Sequence, residues 1–337
     1  MAVGLREELS NGEGFDELLC ENFSIEIDLD RNKLHDFLHK AGINEELNIE
    51  DALWKLGVAR LTDNVLAVNN AGVLFFALEP EKFVEQSCIT CVRYQGTDKF
   101  NILDRADLSG DLLYLVNEAE TFVKKNTRIA SKFIGFQRID KEEYPYTAIR
   151  EAIINAVCHR NYYFNSTLVF VNIFDDRIEV VSPGSIPFGL TLKEVMNKSF
   201  PRNKLLLKLF NKINEVERLG SGLNKMKKLM KEHGLKEPVF EARRASFQVT
   251  FPGPKEKILD LIKDSRIIDL RELGLNERQI KALNFLSQKM NRINSSQFCK
   301  MFNVTKATAT FDLNELIKLN FIARNGKGKA TNYFLKQ

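Results

Sequence analysis

The run Pro252-Gly253-Pro254, followed by Lys-Glu-Lys, is the feature that most limits how this chain can fold. Proline has no amide proton and a fixed φ, so neither a helix interior nor a central strand continues through such a run. The chain must therefore divide there. On the N-terminal side, residues 24–252 alternate two periods. IEDALWKLGV (49–58) and RADLSGDLLYLVNEAETFVKKN (105–126) have helical spacing, whereas NVLAV (64–68), ITCVRYQG (89–96), STLVFVNIFD (166–175) and RIEVVSP (177–183) read as strands. On the C-terminal side the pattern is helical and then hairpin-like. These alternations predict an α+β chain, with no internal repeat to suggest a solenoid.

Charge is divided about the same break. Residues 255–337 carry 16 Lys and Arg against 8 Asp and Glu, a net of +8; since the whole chain is +4, residues 1–254 stand at −4. The basic charge is thus concentrated at the C-terminal side, and without a motif inside that segment it would read as a solvated basic surface. A length of 337 residues with 44% apolar side chains predicts two or three domains with real cores. No stretch reaches the roughly eighteen apolar residues of a membrane helix, and MAVGLREELSNGEG has acids and glycines where a secretion signal needs an apolar run. The expectation is a soluble, cytoplasmic protein without membrane contact. Cys20, Cys88, Cys91, Cys158 and Cys299 are too scattered for a disulfide framework, and Cys88 and Cys91 share one β-branched run with no second pair, so they read as strand thiols, with a metal or redox role as the alternative.

In the basic part, Asn276 with Gln279 three residues later resembles a capping box that opens NERQIKALNFLSQK (276–289), with Ile280, Leu283 and Leu286 on one face. A second helix begins at SSQFCKMF (295–302). After the turn FNVT, Thr305 caps a third helix, KATATFDLNELIKLN (306–320), whose Ala309, Leu313, Leu316 and Ile317 form one stripe. Lys306, Ala307, Thr310, Phe311, Asn314 and Lys318 are left on its outside or margins. FIARNGKGKATNYFLK (321–336) then reads as two β runs about Gly326 and Gly328, with Lys327 and Lys329 at the tip. Small, polar and basic groups at the start of a helix suit a major groove, and a basic hairpin tip suits backbone phosphates. The run VTKATATFDLNEL (304–316) resembles the recognition helix of winged-helix modules in bacterial transcription regulators. That resemblance implies double-stranded DNA as partner and Thr305, Lys306, Thr308, Thr310, Asn314, Lys327 and Lys329 as its contacts. Paired DNA half-sites add the expectation of a homodimer. Where many such regulators carry a basic residue before the Asp-Leu pair this chain has Phe311, so a protein contact at this helix stays open.

In the larger part, YTAIREAIINAVCHRNY (146–162) places Glu151, Asn155 and His159 at i, i+4 and i+8 on one helix face, while Ile149, Ile153 and Ala156 can face a core. A carboxylate one turn from an amide suits activation of a water and retention of magnesium between phosphates; a solvated helix face is the alternative. Downstream, DDRIEVVSP ends in the turn Ser182-Pro183-Gly184. ERLGSGLNKMKKLMKEHG (217–234) puts Gly220, Ser221 and Gly222 before a basic helix, where glycine lets backbone N–H groups approach phosphate oxygens.

This order resembles the GHKL ATPase superfamily. More closely, REAIINAVCHRNY, FDDRIEVVSPGSIPFGLT, PRNKLLLKLF and ERLGSGLNKM are similar to a RecG-related family of transcriptional regulators, over residues 20–252. The resemblance implies a GHKL-like (Bergerat-type) two-layer α/β sandwich at 136–252, behind a flexible segment at 1–20 and an α/β extension at 21–135. A linker at 253–274 and the winged helix at 275–337 follow. It implies Glu151 as general base, Asn155 as magnesium ligand, Gly220, Ser221 and Gly222 over the phosphates, and His159, Ser182 and Gly184 in the remaining nucleotide wall, with ATP and Mg2+ as cofactors. Typical members read adenine with an Asp where this chain has Ser182, which predicts weak, base-tolerant binding. Many relatives begin with a Schlafen-type DNA-binding domain, for which no room is expected ahead of residue 20. No G-x-x-x-x-G-K-[ST] loop is present to support helicase activity. Three readings stay open: a DNA-binding regulator with a nucleotide sensor, an ATPase cycling on DNA, and a dimerisation scaffold for winged helices.

Overall fold

A computed structural model describes residues 14–44, 46–134, 137–187, 189–198, 200–215, 222–262, 274–287, 292–326 and 331–336. Two compact units are formed, Met1–Ile129 with Glu142–Leu261, and Ala130–Lys141 with Ile262–Gln337. The first runs through helices α1 (Arg31–Lys40) and α2 (Ile49–Leu56), strands β1 (Ala59–Thr62) and β2 (Val65–Val68), and helix α3 (Asn70–Phe76). Then come β3 (Cys88–Gln95), β4 (Asn101–Ser109) and α4 (Leu112–Lys125). Past β5 (Ile129–Ile134) and β6 (Gln137–Glu142), whose residues 130–141 belong to the second unit, the first unit continues as α5 (Tyr146–His159), β7 (Val169–Ile173), β8 (Arg177–Pro183), α6 (Leu192–Asn197), α7 (Lys204–Lys212), α8 (Gly222–His233), β9 (Val239–Arg243) and β10 (Ser246–Pro252).

Six of these strands share one mixed sheet in the order β4-β3-β7-β8-β10-β9, with β3 and β7 parallel and the other pairs antiparallel. A parallel pair needs a long crossover, and the chain between β3 and β7 carries α4 and α5 within it. Period-two strands present one apolar face: Ile89, Cys91, Val169, Val171, Ile178, Val180, Val249 and Phe251 are buried in the same core as Val116 and Ala119 of α4 and Ile149 and Ile153 of α5. That core fixes α5 across the sheet. Cys88 and Cys91 are three residues apart in β3 and so point to opposite faces, which keeps their thiols from meeting.

Two local expectations change. Residues 105–126 are not one helix: Arg105–Ser109 complete β4 in register with β3, and Gly110, at φ 143°, turns the chain into α4. Asp111 then caps that helix by accepting from the Tyr114 amide at 2.9 Å. Residues 14–20 also differ from a mobile leader. Phe15 stacks on Tyr162 with ring centroids 5.0 Å apart, and the buried Asp16 accepts from the amides of Leu205 (2.7 Å) and Leu206 (3.1 Å). Asp16 thereby caps α7, whose own Asn203 side chain makes no cap bond. Residues 1–13 lie outside the described residues.

In the second unit, helices α9 (Glu277–Ser287), α10 (Ser295–Phe302) and α11 (Lys306–Lys318) precede the antiparallel pair β11 (Ile322–Asn325) and β12 (Asn332–Leu335). The capping box is present in both directions, Gln279 N to Asn276 Oδ1 at 3.0 Å and Asn276 N to Gln279 Oε1 at 2.8 Å. Ala282, Leu283, Leu286, Phe298, Ala309, Leu313, Leu316 and Tyr333 form a separate core. No helix among the described residues is long and apolar enough to cross a membrane.

Candidate functional site

Helix α5 carries one side of a cavity of about 120 Å3 in the first unit. That volume is well beyond the ~15 Å3 a single water requires, so the space is on the scale of a ligand. Glu151, Asn155 and His159 reach it from α5, Ser182 and Gly184 from the end of β8, and Gly222 from the start of α8. Val180, Ile186, Phe247 and Val249 make its apolar wall, and Lys198 and Arg202 add positive charge. The helical spacing of the three polar residues thus translates into one shared surface. Gly220 and Ser221 lie outside the described residues.

Close approach decides the polar end. Glu151, 3% exposed, receives the Asn155 amide at 3.4 Å and lies 3.6 Å from Lys225 Nζ on α8. A Cβ on Gly222 would come within 2.7 Å of Glu151 Oε1 and 3.0 Å of Asn155 Nδ2, so glycine lets α8 begin this near α5 without displacing either side chain. Gly184 is constrained twice, by a φ of 94° and by Arg202 Nη1 and Asn161 Cβ, each 2.8 Å from where its Cβ would stand.

The C-terminus of α5 leaves carbonyls that need donors, and the segment after α6 supplies them. Arg202 donates to the carbonyls of His159 (2.8 Å) and Ser185 (2.9 Å), while Asn203 donates to those of Cys158 (2.8 Å) and Arg160 (2.9 Å). A guanidinium at a helix C-terminus also offsets the negative end of its dipole. Burial first, and the Arg202 charge second, push the His159 imidazole down to about 4, so it is neutral at ordinary pH. The Ser182 hydroxyl donates to Ala156 O at 2.7 Å. Its only proton is spent there, and toward a ligand it can only accept. Arg202 and Asn203 were missed as site residues, although both stand in the PRNKLLLKLF run; their role is a bond to another element's backbone, which no local period encodes.

On the second unit, Thr305 caps α11 by accepting from the Thr308 amide at 3.3 Å. Lys306, Thr310 and Asn314 are exposed on that helix and Thr308 is half-buried. Lys327 and Lys329 lie outside the described residues. Asp312, in the same helix, is fully buried: Arg278 Nε (2.9 Å) and Asn276 Nδ2 (2.8 Å) donate to its carboxylate and Gln279 Nε2 to its carbonyl (3.2 Å). Its signal in the sequence is a carboxylate directly before Leu313 of the apolar stripe. Among the described residues no three His, Cys, Asp or Glu side chains gather as a metal site.

A family model described as "Putative ATP-dependent DNA helicase recG C-terminal" matches residues 167–251. The match takes in Ser182, Gly184, Arg202 and Gly222, while Glu151, Asn155 and His159 stand before it on α5. The crystal structure of the DIP2311 protein from Corynebacterium diphtheriae is similar in fold, with a TM-score of 0.61 at 20% identity over 99% of this chain and 67% of that one. No curated protein matches the chain. Within its mixed α+β fold, residues 167–251 are therefore similar to the ATPase-like C-terminal domain of a RecG-related family.

Proposed function

We propose that this chain is a DNA-binding regulator in which the cavity beside α5 takes a nucleotide with magnesium and the second unit is a winged helix that binds duplex DNA. The carrying observation is that all six described residues expected at a nucleotide site, Glu151, Asn155, His159, Ser182, Gly184 and Gly222, line one cavity. Three capped helices followed by a two-stranded hairpin, in the basic part of the chain, support the DNA half.

The donor chemistry fits magnesium, because Asn155, which lines the cavity, carries the side-chain oxygen that a hard cation prefers. Asn155 would hold the ion, whose contribution when bound is to neutralise phosphate charge. Glu151 is the group placed to take a proton from an attacking water, and Lys225 balances its charge. Lys198 draws anionic phosphates toward the cavity. Ser182 accepts weakly where a carboxylate would accept strongly, so discrimination among bases is slight. The reading is of a GHKL-like site working as a sensor, with hydrolysis slow or absent.

Calorimetry with ATP, GTP and ADP tests this. The expectation is weak, magnesium-dependent binding with similar affinities for the three, lost in Asn155→Ala and nearly kept in Glu151→Ala, which removes any hydrolysis. Tight adenine-selective binding would overturn the reading of Ser182. No binding at millimolar nucleotide would overturn the sensor and leave the dimerisation scaffold. For the DNA half, the full chain should bind duplex DNA with a steep salt dependence, and Lys327→Ala with Lys329→Ala should reduce the log–log salt slope by about 2. Light scattering should give a dimer rather than the 38.7 kDa monomer.

A further inference from the structure

Helix α11 presents an unexpectedly apolar surface where polar base readout was expected. Phe311 is 64% exposed, in the second turn, and Ala307, one turn before it, is exposed as well. Thr310 beside them is exposed, but its hydroxyl donates to Lys306 O at 2.8 Å, which leaves the γ-methyl as the part of that side chain without a polar obligation. The hydroxyls of Thr305 and Thr308 face each other at 2.9 Å, and Thr305 also serves the Thr308 amide. The Thr310 proton and one of the two hydroxyl protons of the Thr305–Thr308 pair are thus spent within the helix. What remains outward between the exposed Lys306 and Lys318 is the Ala307 methyl, the Thr310 methyl and the Phe311 ring, with the Asn314 amide one turn beyond Thr310.

We infer that Ala307, Thr310 and Phe311 form a reader of pyrimidine 5-methyl groups in the major groove, so that the preferred duplex sites are those presenting thymine methyls to this helix. The inference rests on the DNA-binding reading above. Duplex DNA is the occupant that the charge favours: the part of the chain from residue 255 on is at +8, whereas an apolar protein groove gains nothing from lysines at both ends of the patch. The 5-methyl of thymine is the apolar group that a base pair offers in the major groove, and alanine, threonine methyl and phenylalanine are side chains that contact it. Lys306 and Lys318 then hold the helix by phosphate contact, which carries no sequence information.

The test separates methyl recognition from DNA binding. A pool of random 30-base-pair duplexes is selected with the full chain, and a selected duplex is resynthesised with deoxyuridine replacing thymidine, a change that removes the methyl alone. Each buried methyl is worth about fourfold in affinity, so loss of two should weaken binding roughly fifteenfold. Phe311→Ser should abolish the difference between the two duplexes while leaving salt-dependent binding to an unselected duplex intact. Thr310→Ser keeps the hydroxyl bond to Lys306 and removes only the methyl, and should diminish the difference in part. Placing 5-methylcytosine for cytosine in a duplex whose contacted thymines are replaced by cytosines should recover affinity. Equal affinity for thymidine and deoxyuridine duplexes, with binding otherwise normal, would overturn the inference and spare the DNA reading. Failure to bind any duplex at low salt would overturn both. A Phe311→Ser variant that binds every duplex as the parent does, but no longer forms the parent's assembly in light scattering, would reassign the patch to a protein contact.

Discussion

Replacing Asp312 by alanine should destabilise the second unit far more than loss of a surface ion pair does. The Asp312 carboxylate is wholly buried and receives Arg278 Nε at 2.9 Å, Arg278 Nη2 at 3.4 Å and Asn276 Nδ2 at 2.8 Å. Two of these are well formed and charge-assisted, a class worth about 1.5–3 kcal/mol each. The Arg278 side chain is 39% exposed, so water screens its share and recovers part of its solvation when the partner is gone. The net loss is then about 2–4 kcal/mol. For a unit of this size that lowers the melting midpoint by roughly 10–25 °C. Asp312→Asn keeps an acceptor but not the charge, and should cost about half as much. Asp312→Leu combined with Arg278→Met removes both charges together and should be milder than Asp312→Ala. Calorimetry of the full chain, with hydrogen exchange at α9 and α11 to assign the transition, reads all three. A midpoint shift below about 3 °C for Asp312→Ala would refute the reasoning, since it would mean that burial gives this pair no more than an exposed pair has.

Gly222→Ala should leave the melting midpoint within a few degrees, because the Glu151 carboxylate end can yield to the new methyl, yet weaken magnesium-dependent nucleotide binding at least tenfold by displacing the Asn155 amide; parent-like binding in calorimetry would show that the Asn155 position does not matter. With the His159 imidazole at about 4 in the folded chain and near 6.5 when unfolded, the folded state binds fewer protons between those values, so its contribution is complete above about pH 6.5 and is lost as pH falls toward 4. That loss is about 1–3 kcal/mol. Denaturant titrations at several pH values should show it, and His159→Gln should flatten the curve. Asp16→Ala removes the acceptor for two α7 amides and should cost about 1–2 kcal/mol, with faster hydrogen exchange at Leu205 and Leu206 as its local signature.

What local chemistry specifies was readable from the residues. The helix over 146–159 with Glu151, Asn155 and His159 on one face, the capping box at Asn276, the Thr305 cap and the β-branched runs at 169–173 and 177–183 all follow from periods and side-chain reach within a few residues. The boundary at Gly110 did not, because the residues of β4 alternate too weakly to overrule the strong helical period that begins at Leu112. Further from the chain's own neighbourhood the sequence falls silent. The bonds from Arg202 and Asn203 to the end of α5, the Asp16 cap on a helix nearly 190 positions away, the Asp312 lock on α9 and the turn of the Thr310 hydroxyl back onto its own helix are settled only when distant segments are brought together or a rotamer is chosen. A buried polar group takes whichever partner the fold leaves within about 3 Å. Sequence fixes which groups must find partners; the packing of α5, α7 and α8 against the sheet decides which ones they find.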